Sequence, residues 1–329
     1  MTATTPAKAP EELLSAIRQG NRFLLTSHVN PDGDAIGSEL GLARLLRGLG
    51  KGAVVWNRDA TPTVLAALPG AERIHVGAEA PTGYPEKFDA VVTLECPSLD
   101  RCGLEDRLGD LPLVNVDHHL GNQHYGGVNW VDPAAPAVGV MIFRLAQGLK
   151  VTVDEDTADA LLLALVSDTG GFRFSNATPE AFEAAAELVR AGARPAQISR
   201  WLYESRPAAT LRLLAEMLGS LELSAGGRVA TALLTAEMYE RAGASHGDAE
   251  GLIDHPRSIA GVEAVALVRE VDGGGCKVSL RSRGEVDVER IARHHGGGGH
   301  RNAAGYSVEG GCRVVVEAAA AALEQALGA

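Results

Sequence analysis

Short apolar runs recur along the first half of this chain, and three of them are stopped by an acid or an imidazole. Arg22–Ser27 (RFLLTS) runs into His28, Ala90–Leu94 into Glu95, and Leu113–Val116 into Asp117-His118-His119. With Ala53–Trp56, these runs are too short for helices, are rich in Val and Leu, and read as buried strands. Helical patterns lie before, between and after them. A short helix is expected at Glu11–Gly20, and a longer one at Ala35–Leu49, with Ile36, Leu40, Ala43, Leu46 and Leu49 near one face and Gly50 as its stop. Others follow at Val138–Gly148, Glu155–Val166, Glu180–Gly192 and Ala196–Glu204. Strands interleaved with helices predict an α/β fold with a doubly wound, mainly parallel sheet. In such sheets ligands gather beyond the carboxyl ends of the strands, which is where the polar residues fall here.

The texture changes near residue 207. A helix at Ala208–Leu218 leads to strands at Arg228–Thr235, Val262–Val271 and Cys276–Arg283, then a helix at Val286–His295. The glycine run Gly296–Gly299, a strand at Ala304–Val308 and an alanine-rich helix ending near Leu327 complete the chain. We expect a first domain over residues 1–195, a linker region over 196–212, and a smaller α+β domain over 213–329. The length of 329 residues suits two domains at ~150 residues each.

Charge narrows the partners. A net charge of −12 argues against coating duplex DNA or an anionic membrane, both of which need a broad basic surface. No run approaches the ~18 apolar residues of a membrane span. The first ten residues lack a secretory layout. The four cysteines form no C-x-x-C pair and read as reduced and incidental, which together predicts a cytoplasmic protein.

His28-x-x-x-Asp32-x-Asp34, Glu95, Asp117-His118-His119 and Asp168 mix carboxylate oxygens with imidazole nitrogens. That donor set suits Mn²⁺ and its neighbours, and two such ions ~3.5–4 Å apart suit phosphoryl transfer. Individually these residues have plainer roles: Asp32 can open an Asx turn, Asp34 can cap a helix, and Asp168 before Thr169-Gly170-Gly171 can form a turn. Adjacent histidines at a strand end point different ways, so one can bind metal while the other faces a substrate. Asp117 can fix the tautomer of an imidazole. Between residues 281 and 301 five arginines face three acids (Glu285, Asp287, Glu289), a cationic spot in an acidic chain. Glycine backbone N–H groups and Arg281 or Arg283 there can hold a phosphate.

Taken together these motifs resemble the DHH phosphoesterase superfamily, in its DHH–DHHA1 branch of oligoribonucleases (nano-RNases) and 3′-phosphoadenosine 5′-phosphate (pAp) phosphatases. His28-Val-Asn-Pro-Asp32-Gly-Asp34-Ala-Ile-Gly37-Ser38 is similar to the first motif, and Asp117-His118-His119 to the name-giving one. Asp168-Thr-Gly170 resembles the fourth, and Gly297-Gly-Gly-His300-Arg-Asn-Ala-Ala-Gly305 the signature of the second domain. The resemblance implies that His28, Asp32 and the acid of the second motif hold one metal. Asp34, that same acid, His118 and Asp168 would hold the other. It also implies that His119 faces the phosphate, with Asp117 beside it. Arg281, Ser282, Gly298, Gly299, His300 and Arg301 would recognise the nucleotide across a cleft between the domains. One residue departs from the pattern: the family's second motif ends in aspartate, and this chain has Glu95.

The implied activity is metal-dependent hydrolysis of short single-stranded RNA or DNA and of small nucleotides, with two Mn²⁺ ions (Mg²⁺ or Co²⁺ as alternatives), in a monomer or homodimer. The neighbouring readings are a cyclic- or linear-dinucleotide phosphodiesterase and a nucleotide sensor whose catalysis is impaired by Glu95. A pyrophosphatase would carry a lysine-bearing motif in place of Arg281-Ser282-Arg283. A processive exonuclease would be longer.

Overall fold

The computed structural model describes residues 8–271 and 273–328; the segment before Lys8 and the His300 side chain lie outside the described residues. The expectation of no secretory layout therefore falls largely outside them. The chain divides into two compact units at Ser205/Arg206.

In the first unit α1 (Glu11–Gln19) leads into β1 (Arg22–Thr26), α2 (Gly33–Gly48), β2 (Gly52–Asn57) and β3 (His75–Val76). Then come β4 (Ala90–Leu94), β5 (Leu113–Asp117) and β6 (Val128–Val131), followed by α3 (Val138–Leu149), α4 (Glu155–Asp168), α5 (Pro179–Arg190) and α6 (Pro195–Tyr203). The strands form one parallel sheet in the order β3-β2-β1-β4-β5-β6. The chain therefore starts in the middle, winds outward through β2 and β3, and crosses back to β4. The carboxyl ends of β1 and β4 flank the switch point where a doubly wound sheet leaves a crevice.

α2 and α4 pack closely against one another because their facing surfaces are nearly bare. Gly33, Gly37 and Gly41 lie four residues apart on one stripe of α2, against Ser167, Ala160 with Ala164, and Leu161. A Cβ at Gly37 would stand 2.5 Å from the Ala160 carbonyl oxygen. This approach brings the start of α2, with Asp34, beside the end of α4, with Asp168.

The second unit contains α7 (Ala208–Gly219), β7 (Glu222–Ser224), β8 (Val229–Leu234), α8 (Ala236–Ala242), α9 (Asp254–Arg257), β9 (Ala264–Glu270) and β10 (Cys276–Ser282). It ends with α10 (Val288–His294), β11 (Gly298–His300), β12 (Ala303–Val308) and α11 (Cys312–Gly328). Its sheet is mixed, in the order β11-β12-β10-β9-β8-β7, with β8 and β9 parallel and the other pairs antiparallel. A core of Val268, Val278, Leu280, Val288, Ala319 and Leu323 fills one side of it.

One expectation needs correction. The cysteines are not all free: Cys276 and Cys312 form a disulfide, their Cα atoms 6.0 Å apart where β10 and α11 begin, while Cys96 and Cys102 are buried thiols. Residues 196–212 are mostly helix, in line with the helices expected at Ala196–Glu204 and Ala208–Leu218: α6 runs to Tyr203 and α7 starts at Ala208.

Candidate metal centre

Asp32 and Asp34 sit where β1 hands over to α2, and both serve as caps. Asp32 is the N-cap of α2, its Oδ1 accepting from the backbone N–H groups of Asp34 (2.9 Å) and Ala35 (3.0 Å). Asp34 reaches a different helix. Its Oδ2 accepts from Val138 N (2.7 Å) and its Oδ1 from Gly139 N (2.9 Å), so it satisfies the first amides of α3, whose own N-cap, Ala137, has no side chain to do so. Ser38 Oγ donates to the same carboxylate at 2.9 Å. The plain reading of these acids as caps thus holds alongside the ligand reading.

Glu95 follows β4 in a left-handed conformation (φ 57°) with its side chain buried. His118 Nε2 lies 3.1 Å from Glu95 Oε1 and 3.9 Å from Asp168 Oδ2. His118 Nδ1 is 3.0 Å from the Ala135 carbonyl oxygen, a contact that requires Nδ1 to carry a proton, so that in the neutral ring Nε2 is the nitrogen free to bind a metal. His119 turns the other way: its Nδ1 donates to Asp117 Oδ1 at 2.8 Å, from the end of β5. Asn176 Nδ2 holds Asp168 Oδ2 at 2.8 Å.

Among the described residues two groups have ligand atoms within 4.8 Å of one another: Glu95 with His118 and His119, and Asp34 with His118 and Asp168. His28 and Asp32 lie outside both; His28 Nδ1 is 2.9 Å from its neighbour's carbonyl, Val29 O. Asp32 is nonetheless near enough to raise the Glu95 pKa.

The electrostatics show a centre short of positive charge. Burial pushes the Glu95 carboxyl well above its ordinary range, and Asp34, Asp32, Asp168 and Asp117 push it further. Burial also raises Asp34, and it lifts Asp168, with help from Asp34, to about 7. Burial works against charge on His118, yet Asp34 and Asp168 outweigh it and raise the imidazole. Burial likewise opposes charge on Asp117, but the hydrogen bond from His119 and the charges around it hold that carboxyl low.

Divalent cations fit this donor set. Glu95 Oε1 is buried without a hydrogen bond, since His118 Nε2 does not meet it in hydrogen-bonding geometry. Two bonds of ~2.1 Å at right angles on one ion would set their ligand atoms ~3.0 Å apart, close to that separation.

In the second unit Arg281 lies partly buried, its Nη1 donating to Leu280 O at 3.1 Å; burial lowers its pKa. Ser282 is buried, its hydroxyl donating to Val286 O at 2.7 Å. Gly298, Gly299 and the His300 backbone form an edge strand paired with β12. There a Cβ at Gly299 would stand 2.5 Å from Ala303 O, so close backbone approach accounts for that glycine. Arg301 is exposed.

Residues 22–165 match the DHH family N-terminal domain, and residues 212–329 match the DHHA1 domain. The chain is 36% identical over 303 residues to the bifunctional oligoribonuclease and PAP phosphatase NrnA of Thermus thermophilus, covering 91% of this chain and 87% of that one. It belongs to the DHH family. The DHH protein of the same description from Bacillus subtilis is 26% identical over 90% of this chain and 92% of its own. The crystal structure of an exopolyphosphatase-related protein from Bacteroides fragilis superposes with a TM-score of 0.90 at 27% identity, covering 98% of each chain. Members of the DHH family are metal-dependent hydrolases of phosphoester bonds, and this chain is one of them. Among the described residues no helix is long and apolar enough to cross a membrane.

The motif residues were visible in sequence, but three asparagines were not. Asn115, Asn122 and Asn176 tie Asp117 and Asp168 in place, yet an asparagine near a loop carries no signal beyond turn formation.

Proposed function

We propose that this chain hydrolyses short single-stranded oligonucleotides and 3′-phosphoadenosine 5′-phosphate with a pair of divalent metal ions, Mn²⁺ before Mg²⁺ or Co²⁺. The observation that carries the reading is the convergence of Asp34, Glu95, His118 and Asp168 from four separate segments, in two ligand groups that share His118. The activities named for the Thermus and Bacillus relatives support the substrate class.

Asp34, Glu95, His118 and Asp168 would hold the ions, with His28 and Asp32 completing the set from the loop after β1. The ions when bound lower the pKa of water and offset phosphate charge. His119, oriented by Asp117, meets the negative charge that develops on the phosphate. Asn176 keeps Asp168 aimed inward. Residues 213–329 would seat the nucleoside through Arg281, Arg301 and the backbone of Gly298–His300, while residues 1–195 carry the metal centre. With a net charge of −12 the chain offers long polyanions little attraction, while short ones can be held locally at the site, and we place the protein in the cytoplasm.

The test uses purified protein with Mn²⁺, a 5′-labelled RNA dinucleotide and pAp. Release of mononucleotide and of inorganic phosphate, both abolished by chelation, is expected. If both substrates stay intact while the protein still binds nucleotide, a sensor is the better description.

A further inference from the structure

Behind His119 lies a chain of hydrogen bonds that no motif residue accounts for. Asp117 is fully buried and gives one oxygen to His119. Its other oxygen, Oδ2, accepts from Asn122 Nδ2 at 2.6 Å. The same Nδ2 is 3.3 Å from the carbonyl of Cys96, the residue after Glu95. Asn122 Oδ1 accepts from His124 N at 2.8 Å and from Asn115 Nδ2 at 2.9 Å. Two acceptors face its nitrogen and two donors face its oxygen, so only one orientation of the amide satisfies the site.

We infer that Asn122 is the positioning residue for His119, acting through Asp117, and that it also ties the end of β5 to the turn carrying Glu95. This rests on the proposed function for what His119 does, but not for how it is held. An amide N–H can only donate, so Asp117 is kept as a pure acceptor with its second oxygen satisfied. With Oδ2 held by Asn122, Oδ1 is turned toward His119 Nδ1–H, the donor 2.8 Å from it. That leaves His119 Nε2 pointing away from Asp117. Asn115, buried on β5, stands behind Asn122 and stops its amide from rotating. A Gln in place of Asn122 would overreach, and a Ser would fall short of one of its partners.

Losing Asn122 leaves a buried Asp117 oxygen without a partner and lets the carboxylate turn. Residues that orient ligands or bases from behind typically change activity or affinity about 10- to 100-fold when removed. The loss should fall on kcat, because His119 meets charge that develops only as the phosphate reacts, and KM should change little.

The experiment pairs kinetics with a readout that needs no activity. In metal-free protein the ring nitrogen shifts of His119 report which nitrogen carries the proton. The wild type should show a single Nδ1–H form, and Asn122→Ala a mixture. With Mn²⁺ and a labelled dinucleotide, Asn122→Ala should lose about 10- to 100-fold in kcat. Asn115→Ala removes only the support behind the amide and should lose less in the same direction; it carries the test if Asn122→Ala does not fold. A folded Asn122→Ala protein with an unchanged His119 spectrum overturns the inference, as does a kcat within about twofold of wild type. If wild type itself cleaves nothing, the proposed function fails, while the nitrogen shifts still decide the role of Asn122.

Discussion

Gly37→Ala sets two effects against each other. Helix propensity alone favours alanine in α2 by about 1 kcal/mol. The structure says otherwise, because a Cβ there would meet Ala160 O at 2.5 Å, Ala164 Cβ at 2.9 Å and Ala164 N at 3.0 Å. Two of these are backbone atoms of α4 that no rotamer change can move. Relief requires α2 and α4 to part by roughly 1 Å, and overpacking of this kind costs about 1–3 kcal/mol. Net destabilisation of up to about 2 kcal/mol remains, a fall of roughly 4–8 °C in Tm for a unit of this size. The same displacement separates Asp34 from Asp168, and errors of ~1 Å in a reacting site can cost ~10²-fold in rate. Thermal unfolding, Mn²⁺ calorimetry and turnover on one preparation measure all three. A Gly37→Ala protein that melts higher than wild type and keeps its activity would refute the claim that this glycine stripe sets the metal centre.

Glu39 is fully buried on α2, held by Asn57 Nδ2 at 2.8 Å, and burial pushes its carboxyl to about 7 from an ordinary 4.5. A carboxyl raised in the folded state leaves stability intact below pH ~4.5 and erodes it as pH rises to ~7, by about 3 kcal/mol in all. Glu39→Gln should flatten the pH dependence of unfolding across that window, and an unchanged profile would show that the carboxyl titrates elsewhere. For the disulfide, denatured and unreduced protein should yield two reactive thiols from its four cysteines. Cys276→Ser should cost up to about 4 kcal/mol, from chain entropy over a sequence separation of 36; four reactive thiols would remove the bond. Glu95→Asp withdraws the carboxylate by about a bond length, and a rise in kcat with Mn²⁺ would mark the longer acid as a handicap. Unchanged rates would show that the left-handed backbone at Glu95 already compensates.

Much of the first unit was legible because its central strands are continuous apolar runs whose ends carry the ligands. β3 and β6 escaped notice: His75–Val76 is too short to show a pattern, and Val128–Val131 mixes Asn129 and Trp130 among valines. α4 runs past Val166 to Asp168, since Ser167 can continue a helix although it looks like a stop. The Cys276–Cys312 pair gave no local sign, because it joins elements that only the second sheet brings together. The alternation along β10, which buries Cys276, Val278, Leu280 and Ser282 on one face, was not read from the sequence at Ser282, named there only through the family resemblance. Asn122 was the hardest to see, since its value lies wholly in what it touches.

The reversal of strand order between β1 and β4 has a consequence for how such proteins diversify. The gap there is created by the winding of the chain, before any particular side chain is chosen. The strands beneath it bury Leu24, Val91 and Val116, while the side chains at the gap are carried by the segments that follow the strands. Glu95, standing where the family resemblance implies an aspartate, is then a change of furnishing, not of architecture.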